Sequence, residues 1–134
     1  MAFVVDASVT ISWLLPDEDR PDAREAWLRS ESEDVFVPRH WWFEVRNTML
    51  VAERRGRIAQ AAMHVALERL SILPIEALDQ FEDDPIFDLA RHHKLSFYDA
   101  AYLELAKARR IPLATFDNAL IRAAKSDNVP LVGN

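Results

Sequence analysis

The feature that most constrains this chain is an alternation of short apolar runs with longer helical patterns. Strand-like runs stand at Phe3–Val5, Val35–Val37, Leu73–Ile75, Pro112–Thr115 and Leu131–Val132. Between them, helically spaced apolar residues mark Asp22–Ser30, Trp41–Arg55, Ile58–Leu70, Pro85–Lys94, Phe97–Arg109 and Asn118–Ser126, with Gly56 separating the second and third. Such alternation predicts an α/β sandwich on a mostly parallel sheet. The runs are apolar at consecutive positions, as strands covered by helices on both faces require. With 134 residues and no repeat, linker or low-complexity tract, the chain reads as one domain spanning 1–134.

Composition removes several functions. The only glycines are Gly56 and Gly133, too few for a Walker-type loop or a G-x-G-x-x-G turn, where backbone must approach phosphate closely. Without cysteine there are no disulfides, thiolate–zinc sites or cysteine nucleophiles, which fits a reducing cytosol. The N-terminus has no basic stretch, and Asp6, Ser8 and Thr10 interrupt its apolar run, unlike a signal peptide. No run nears the ~18 apolar residues of a membrane span. A cytoplasmic protein is expected. Lys and Arg number 16 against 22 Asp and Glu, a net charge of −6. Charge alone will therefore not hold RNA or DNA tightly. An acidic surface suits metal cations and basic partners, or merely keeps the chain soluble.

In open parallel sheets, sites lie outside the carboxyl ends of the strands. Asp6 ends the first apolar run with no spacer, and Asp117 follows Thr115 at the end of IPLATFD. If those two strands are neighbours, both carboxylates emerge at one edge. Each Asp also has a simpler job open to it, capping the helix behind it. Two more acids sit on helical stretches. Glu44 lies within WWFEVRN, three residues before Asn47 and so on the same side of the helix. It could equally point outward from an amphipathic helix. Asp99 follows Ser96 in the S-x-x-D capping pattern, again a structural alternative.

Four segments in series, VVDAS, PRHWWFEVRNTML, LSFYDAAYLELA and LATFD, resemble the PIN-domain family, and within it the VapC-type toxins of bacterial toxin–antitoxin pairs. D-A-S and T-x-D are individually common; the four together, nearly end to end and at typical spacing, carry the resemblance. It implies a PIN-like three-layer sandwich with a mostly parallel sheet of about five strands flanked by helices. It also implies a Mg²⁺- or Mn²⁺-dependent endoribonuclease leaving 5′-phosphate and 3′-hydroxyl ends. The family's catalytic, metal-holding acids fall on Asp6, Glu44, Asp99 and Asp117, with Asn47, Thr115 and Ser8 as supporting polar residues. A cognate antitoxin inserting Arg or Lys among the acids, and a homodimer, are the partners expected besides RNA. Arg46 departs from the pattern, since many relatives carry a small residue there.

The chemistry makes sense of four acids in one place. Phosphodiester hydrolysis needs a nucleophilic water and relief of charge on the leaving oxygen; hard divalent cations supply both, and oxygen ligands hold them. Without a cation such crowding is unfavourable, and some carboxylates take up protons. Other candidates have plainer readings. His92 and His93 do not share a helix face, Asp83-Asp84 and Asp17-Glu18-Asp19 read as solvated acids, and Trp41 and Trp42 read as core or dimer-interface residues. Arg39, Arg46, Lys94 and Arg122 read as scattered surface cations. Two rival functions stay open: a catalytically silent PIN-like binding module, and a phospho-receiver domain. The receiver would need an acidic pair after the first strand and a phosphoacceptor Asp further on, where the chain reads Asn47-Thr48-Met49-Leu50-Val51.

Overall fold

In the computed structural model, which describes residues 1–133, the chain alternates strands and helices from its first residues. Strand β1 (Ala2–Val5) leads into α1 (Ala7–Leu14) and α2 (Pro21–Ser30), then β2 (Asp34–Pro38), α3 (Trp41–Arg54) and α4 (Gln60–Ile72). Strand β3 (Ile75–Leu78), α5 (Asp83–His93), α6 (Phe97–Arg109), β4 (Leu113–Ala114) and α7 (Asn118–Ser126) complete the order. The sheet runs β3-β2-β1-β4, every pair parallel. Phe3, Val4 and Val5 are all fully buried, so β1 is covered on both faces, as its unbroken apolar run requires. Helix α6 lies against β1, β2 and β4, while α1 packs against α2, α3 and α4. No described helix is long and apolar enough to cross a membrane.

Two strand expectations need correction. Of the apolar run at Leu73–Ile75 only Ile75 is in a strand: α4 continues to Ile72, Leu73 is its C-cap, and β3 begins after Pro74 and runs on to Leu78. Residues before proline avoid helical geometry, which sets the change of structure there. In this edge strand Glu76 and Ala77 are exposed, so the burial signal is weak. The expected fifth strand at Leu131–Val132 reduces to a single parallel bridge, Leu131 to Leu113. Pro130 has no N–H to donate, and β4 offers only two residues to pair with. Among the described residues the sheet therefore has four strands and one bridge.

The connection that matters for the site is β1 to β4. Val4 pairs with Leu113 and Val5 with Ala114, and the Asp6 N–H donates to the Ala114 carbonyl at 3.0 Å. Two strands more than a hundred residues apart in sequence thus end side by side.

Candidate active site

At the carboxyl edge of β1, Asp6 is 5% exposed and extended, with φ −93° and ψ 176°. Its Oδ1 accepts from the Val9 N–H at 3.1 Å, capping α1, and from the Ser8 hydroxyl at 2.7 Å. Thr115 Oγ1 donates to Oδ2 at 2.5 Å. The same Thr115 oxygen accepts from the Asp117 N–H at 3.0 Å, and Asp117 Oδ1 caps α7 through the Leu120 N–H at 2.9 Å. Ser8 Oγ also accepts from the Phe116 N–H at 2.9 Å. Both caps considered for Asp6 and Asp117 are therefore real, yet neither exhausts its carboxylate. A carboxylate offers about four lone-pair sites, and among the described residues Asp117 Oδ2 has no hydrogen-bond partner.

Two half-buried acids on helices face this edge. Glu44, in the first turn of α3, accepts at Oε1 from the Tyr102 hydroxyl at 2.7 Å. His40 Nε2 stands 3.2 Å from the same oxygen, off-line for a good hydrogen bond, so the approach is a charge contact if the ring is protonated. The His40 ring rests against Tyr98 and Tyr102, with centroids 5.1 and 5.0 Å away. Asp99 is the third residue of α6, and its N–H donates to Ser96 Oγ at 3.1 Å, so the S-x-x-D cap forms as expected. Asn47 is exposed and lines a cleft of about 400 Å³ with His40, Phe43, Glu44 and Tyr98. A larger cleft, about 640 Å³, lies elsewhere, beside Trp13, Trp27 and Arg69.

Electrostatics ties the two groups together. Burial pushes the Asp6 carboxyl up to about 6, against the hydrogen bonds from Thr115, Ser8 and the Val9 N–H, with the charge of Asp99 adding to the rise. Asp99 is also raised, first by burial and then by the charges of Asp117 and Glu44, with Ser96 and His40 opposing. Burial pushes Glu44 up as well, but His40 and the Tyr102 hydroxyl outweigh it and hold this carboxyl below its ordinary range. Asp99 is thus within electrostatic reach of each of the other three acids. Among the described residues, no three acidic or histidine side chains stand close enough to enclose an ion directly.

Sequence reasoning missed His40, Tyr102, Thr10 and Phe116. His40 and Tyr102 carried a usable signal, standing four before Glu44 and three after Asp99 on the same helical faces. Trp41 proves to be core: it is 6% exposed and its indole N–H donates to Thr10 Oγ1 at 2.9 Å. It is thus unavailable to a partner, while Trp42 and Phe43 are exposed. Arg46 stacks on Trp42, its guanidinium carbon 4.0 Å from the ring centroid. His93 approaches Asp127 at 3.1 Å, away from the acidic edge, and Asp83 and Asp84 are exposed in the first turn of α5.

The PIN domain model matches residues 3–126. The chain belongs to the PIN domain family. Among PIN domain relatives, the chain is 31% identical over 122 residues to "Ribonuclease VapC3" of Mycobacterium tuberculosis, covering 90% of this chain and 85% of that protein. It is 30% identical over 124 residues to "Ribonuclease VapC3" of Pyrobaculum aerophilum, covering 90% and 92%. Its fold is similar to the crystal structure of PAE2754 from Pyrobaculum aerophilum, with TM-score 0.71, 24% identity, and coverage of 92% of this chain and 87% of that one.

Proposed function

We propose that this PIN domain is a Mg²⁺- or Mn²⁺-dependent endoribonuclease, the toxin of a toxin–antitoxin pair. The observation that supports the reading is the position of Asp99, raised by burial and then by the charges of Asp117 and Glu44, and itself adding to the rise of Asp6 at the carboxyl end of β1. The relatives named as ribonucleases support it. The donor chemistry fits a hard cation: oxygen donors alone, and carboxylate oxygens left over after the caps are made. Mg²⁺ keeps several of its waters and takes one or two carboxylates directly, so the four acids need not all touch the ion.

Asp6, Asp99, Glu44 and Asp117 would hold the cation, which when bound supplies Lewis-acid relief of phosphate charge and a water more readily ionised at neutral pH. The chain's own contribution is positioning. Thr115 and Ser8 fix the Asp6 carboxylate on a rigid strand end, and Tyr102 fixes Glu44. Asn47 offers an exposed amide at the cleft mouth for orienting substrate. An antitoxin would inhibit by inserting Arg or Lys among the carboxylates. Trp42 and Phe43 remain as an exposed surface for that partner or for a second copy of the chain.

The phospho-receiver reading loses support. Its strand order is 2-1-3-4-5, whereas this sheet follows 3-2-1-4. The silent-module reading is separated by assay. Purified protein should cut RNA with Mn²⁺ or Mg²⁺ and stop on chelation; no cleavage with either ion would leave the binding-module reading.

A further inference from the structure

The loop joining α1 to α2 contains Asp17, Glu18 and Asp19, which sequence alone marks as solvated charge. Each is engaged. Arg57 Nη2 stands 3.0 Å from both Asp17 Oδ1 and Glu18 Oε2, and Arg24 pairs with Asp19. The loop's cation, Arg20, is exposed and makes no salt bridge among the described residues. Instead its guanidinium carbon lies 3.5 Å from the centroid of the Phe116 ring. Pro21 at the first position of α2 fixes the chain just beyond it.

Phe116 stands between Thr115 and Asp117, and its N–H is held by the Ser8 hydroxyl that donates to Asp6. The stacked cation is therefore braced on the backbone segment that carries two of the site's oxygen-bearing side chains. Its chemistry suits an anion. Stacking occupies the face of a guanidinium and leaves its in-plane N–H fork free for two oxygens of a phosphate. A chain of net charge −6 with an acidic site repels a polyanion, so it needs a local cation that its own acids do not neutralise. The loop supplies one by pairing its three acids with other arginines.

We infer that Arg20, stacked on Phe116, clamps an RNA backbone phosphate beside the acidic site, next to the one cleaved. The inference rests on the ribonuclease reading and adds a positioning residue to it. Arg109 provides a matched control: its guanidinium carbon sits 4.7 Å from the Phe36 ring centroid, at the far end of α6 from Asp99.

The test separates binding from cleavage. Fluorescein-labelled single-stranded RNA is titrated with the full chain in EDTA, where no metal-dependent cutting occurs, across a series of KCl concentrations. Arg20→Met keeps the stem and removes the charge. It should weaken binding by about three- to tenfold at low salt and flatten the slope of log K against log salt by about 0.7, the value of one single-strand phosphate contact. Arg20→Lys returns the charge without the planar fork, so it should restore the slope but bind more weakly than the parent, and Arg109→Met should leave both quantities unchanged. An unaltered slope in Arg20→Met, or no salt-dependent binding by the parent, would each overturn the clamp, and an Arg20→Lys protein that binds as tightly as the parent would reject the stacked fork. Cleavage of the same RNA with Mn²⁺ is read separately. A parent that binds through Arg20 but never cuts would keep the clamp and reject the nuclease.

Discussion

The strand-borne and helix-borne halves of the acidic edge are built differently. On the strand side, Asp6 and Asp117 each spend one carboxylate oxygen capping a helix, and Thr115 links them by accepting from one and donating to the other. On the helix side, neither Glu44 nor Asp99 caps anything with its carboxylate among the described residues; Glu44 is set by Tyr102 and His40, and Asp99 is raised by burial and then by the charges around it. The strand half thus owes its position to backbone architecture that needs no ion. The helix half is a balance of charges, and a bound cation would shift it. Chemistry and stability should therefore respond differently to substitutions in the two halves.

The largest effect expected is on catalysis. Asp6→Ala, Glu44→Ala and Asp99→Ala should each lower RNA cleavage by about a thousandfold, with non-additive losses because the acids act as a unit. Asp117→Ala should lower it less, while Asp83→Ala changes little. The halves separate in urea melts: Asp117→Ala removes the α7 cap and should cost about 1 kcal/mol, whereas Asp99→Ala relieves repulsion and should not destabilise the metal-free chain. Wild-type cleavage in an Asp6/Asp99 double mutant would remove both halves from the mechanism.

The next effect is on metal-free stability against pH, and it belongs to Asp6. Its folded carboxyl stands at about 6 against an ordinary 3.8, so the folded state binds the proton more tightly than the unfolded one. Between those values the slope of unfolding free energy with pH is negative. Stability should fall as pH rises from 3.8 to 6, by up to roughly 3 kcal/mol from this group alone. Asp6→Asn keeps a capping side chain without the buried charge. It should flatten that slope and make the metal-free protein at least as stable at neutral pH. An undiminished slope in Asp6→Asn would assign the pH dependence to other groups.

These contrasts also explain what was legible in the sequence. β1 could be read directly because three consecutive apolar residues end on a carboxylate, a pattern that local chemistry alone makes unusual. The caps at Asp6, Ser96 and Asp117 were legible for the same reason, since a cap is a relation among residues three apart. β3 was legible only at its first residue, Ile75, because an edge strand with Glu76 exposed lacks the apolar run that marks a covered strand. The pairing of Tyr102 with Glu44, separated by 58 residues, was not legible; only the fold brings α6 against α3. The adjacency of β1 and β4 had to be assumed, and the register Val5 to Ala114 now supports it.

A smaller effect tests the charge balance from outside. Mn²⁺ or Mg²⁺ that binds the folded state should raise the melting temperature, corresponding to about 2.7 kcal/mol at a hundredfold excess over Kd. Asp99→Asn should lose more of this response than Asn47→Ala, since the carboxylate bears the charge the ion relieves. Equal responses in Asp99→Asn and the parent would show that Asp99 is no ligand.

The smallest effect sharpens the helix half and concerns Tyr102→Phe. The ring stays in the core, where Tyr102 is 1% exposed, and only the hydroxyl that donates to Glu44 Oε1 is lost. A hydrogen bond to a charged group contributes more than a neutral one, but Glu44 is about a third exposed and solvent screens part of it, so the expected loss at neutral pH is about 1 kcal/mol. The sign with pH is opposite to that of Asp6. Glu44 is held below its ordinary 4.5, so its contribution is present above that value and is lost as pH falls through the folded value. The Tyr102→Phe deficit should therefore be full at neutral pH and shrink in acid, while the Asp6→Asn difference also shrinks in acid but from the stabilised side. Urea melts of both variants at neutral and acidic pH should show the two differences converging on the parent from opposite directions. A Tyr102→Phe deficit that stays constant with pH would mean that the hydroxyl stabilises the fold without tuning Glu44, and the helix half would then be held by packing rather than by charge.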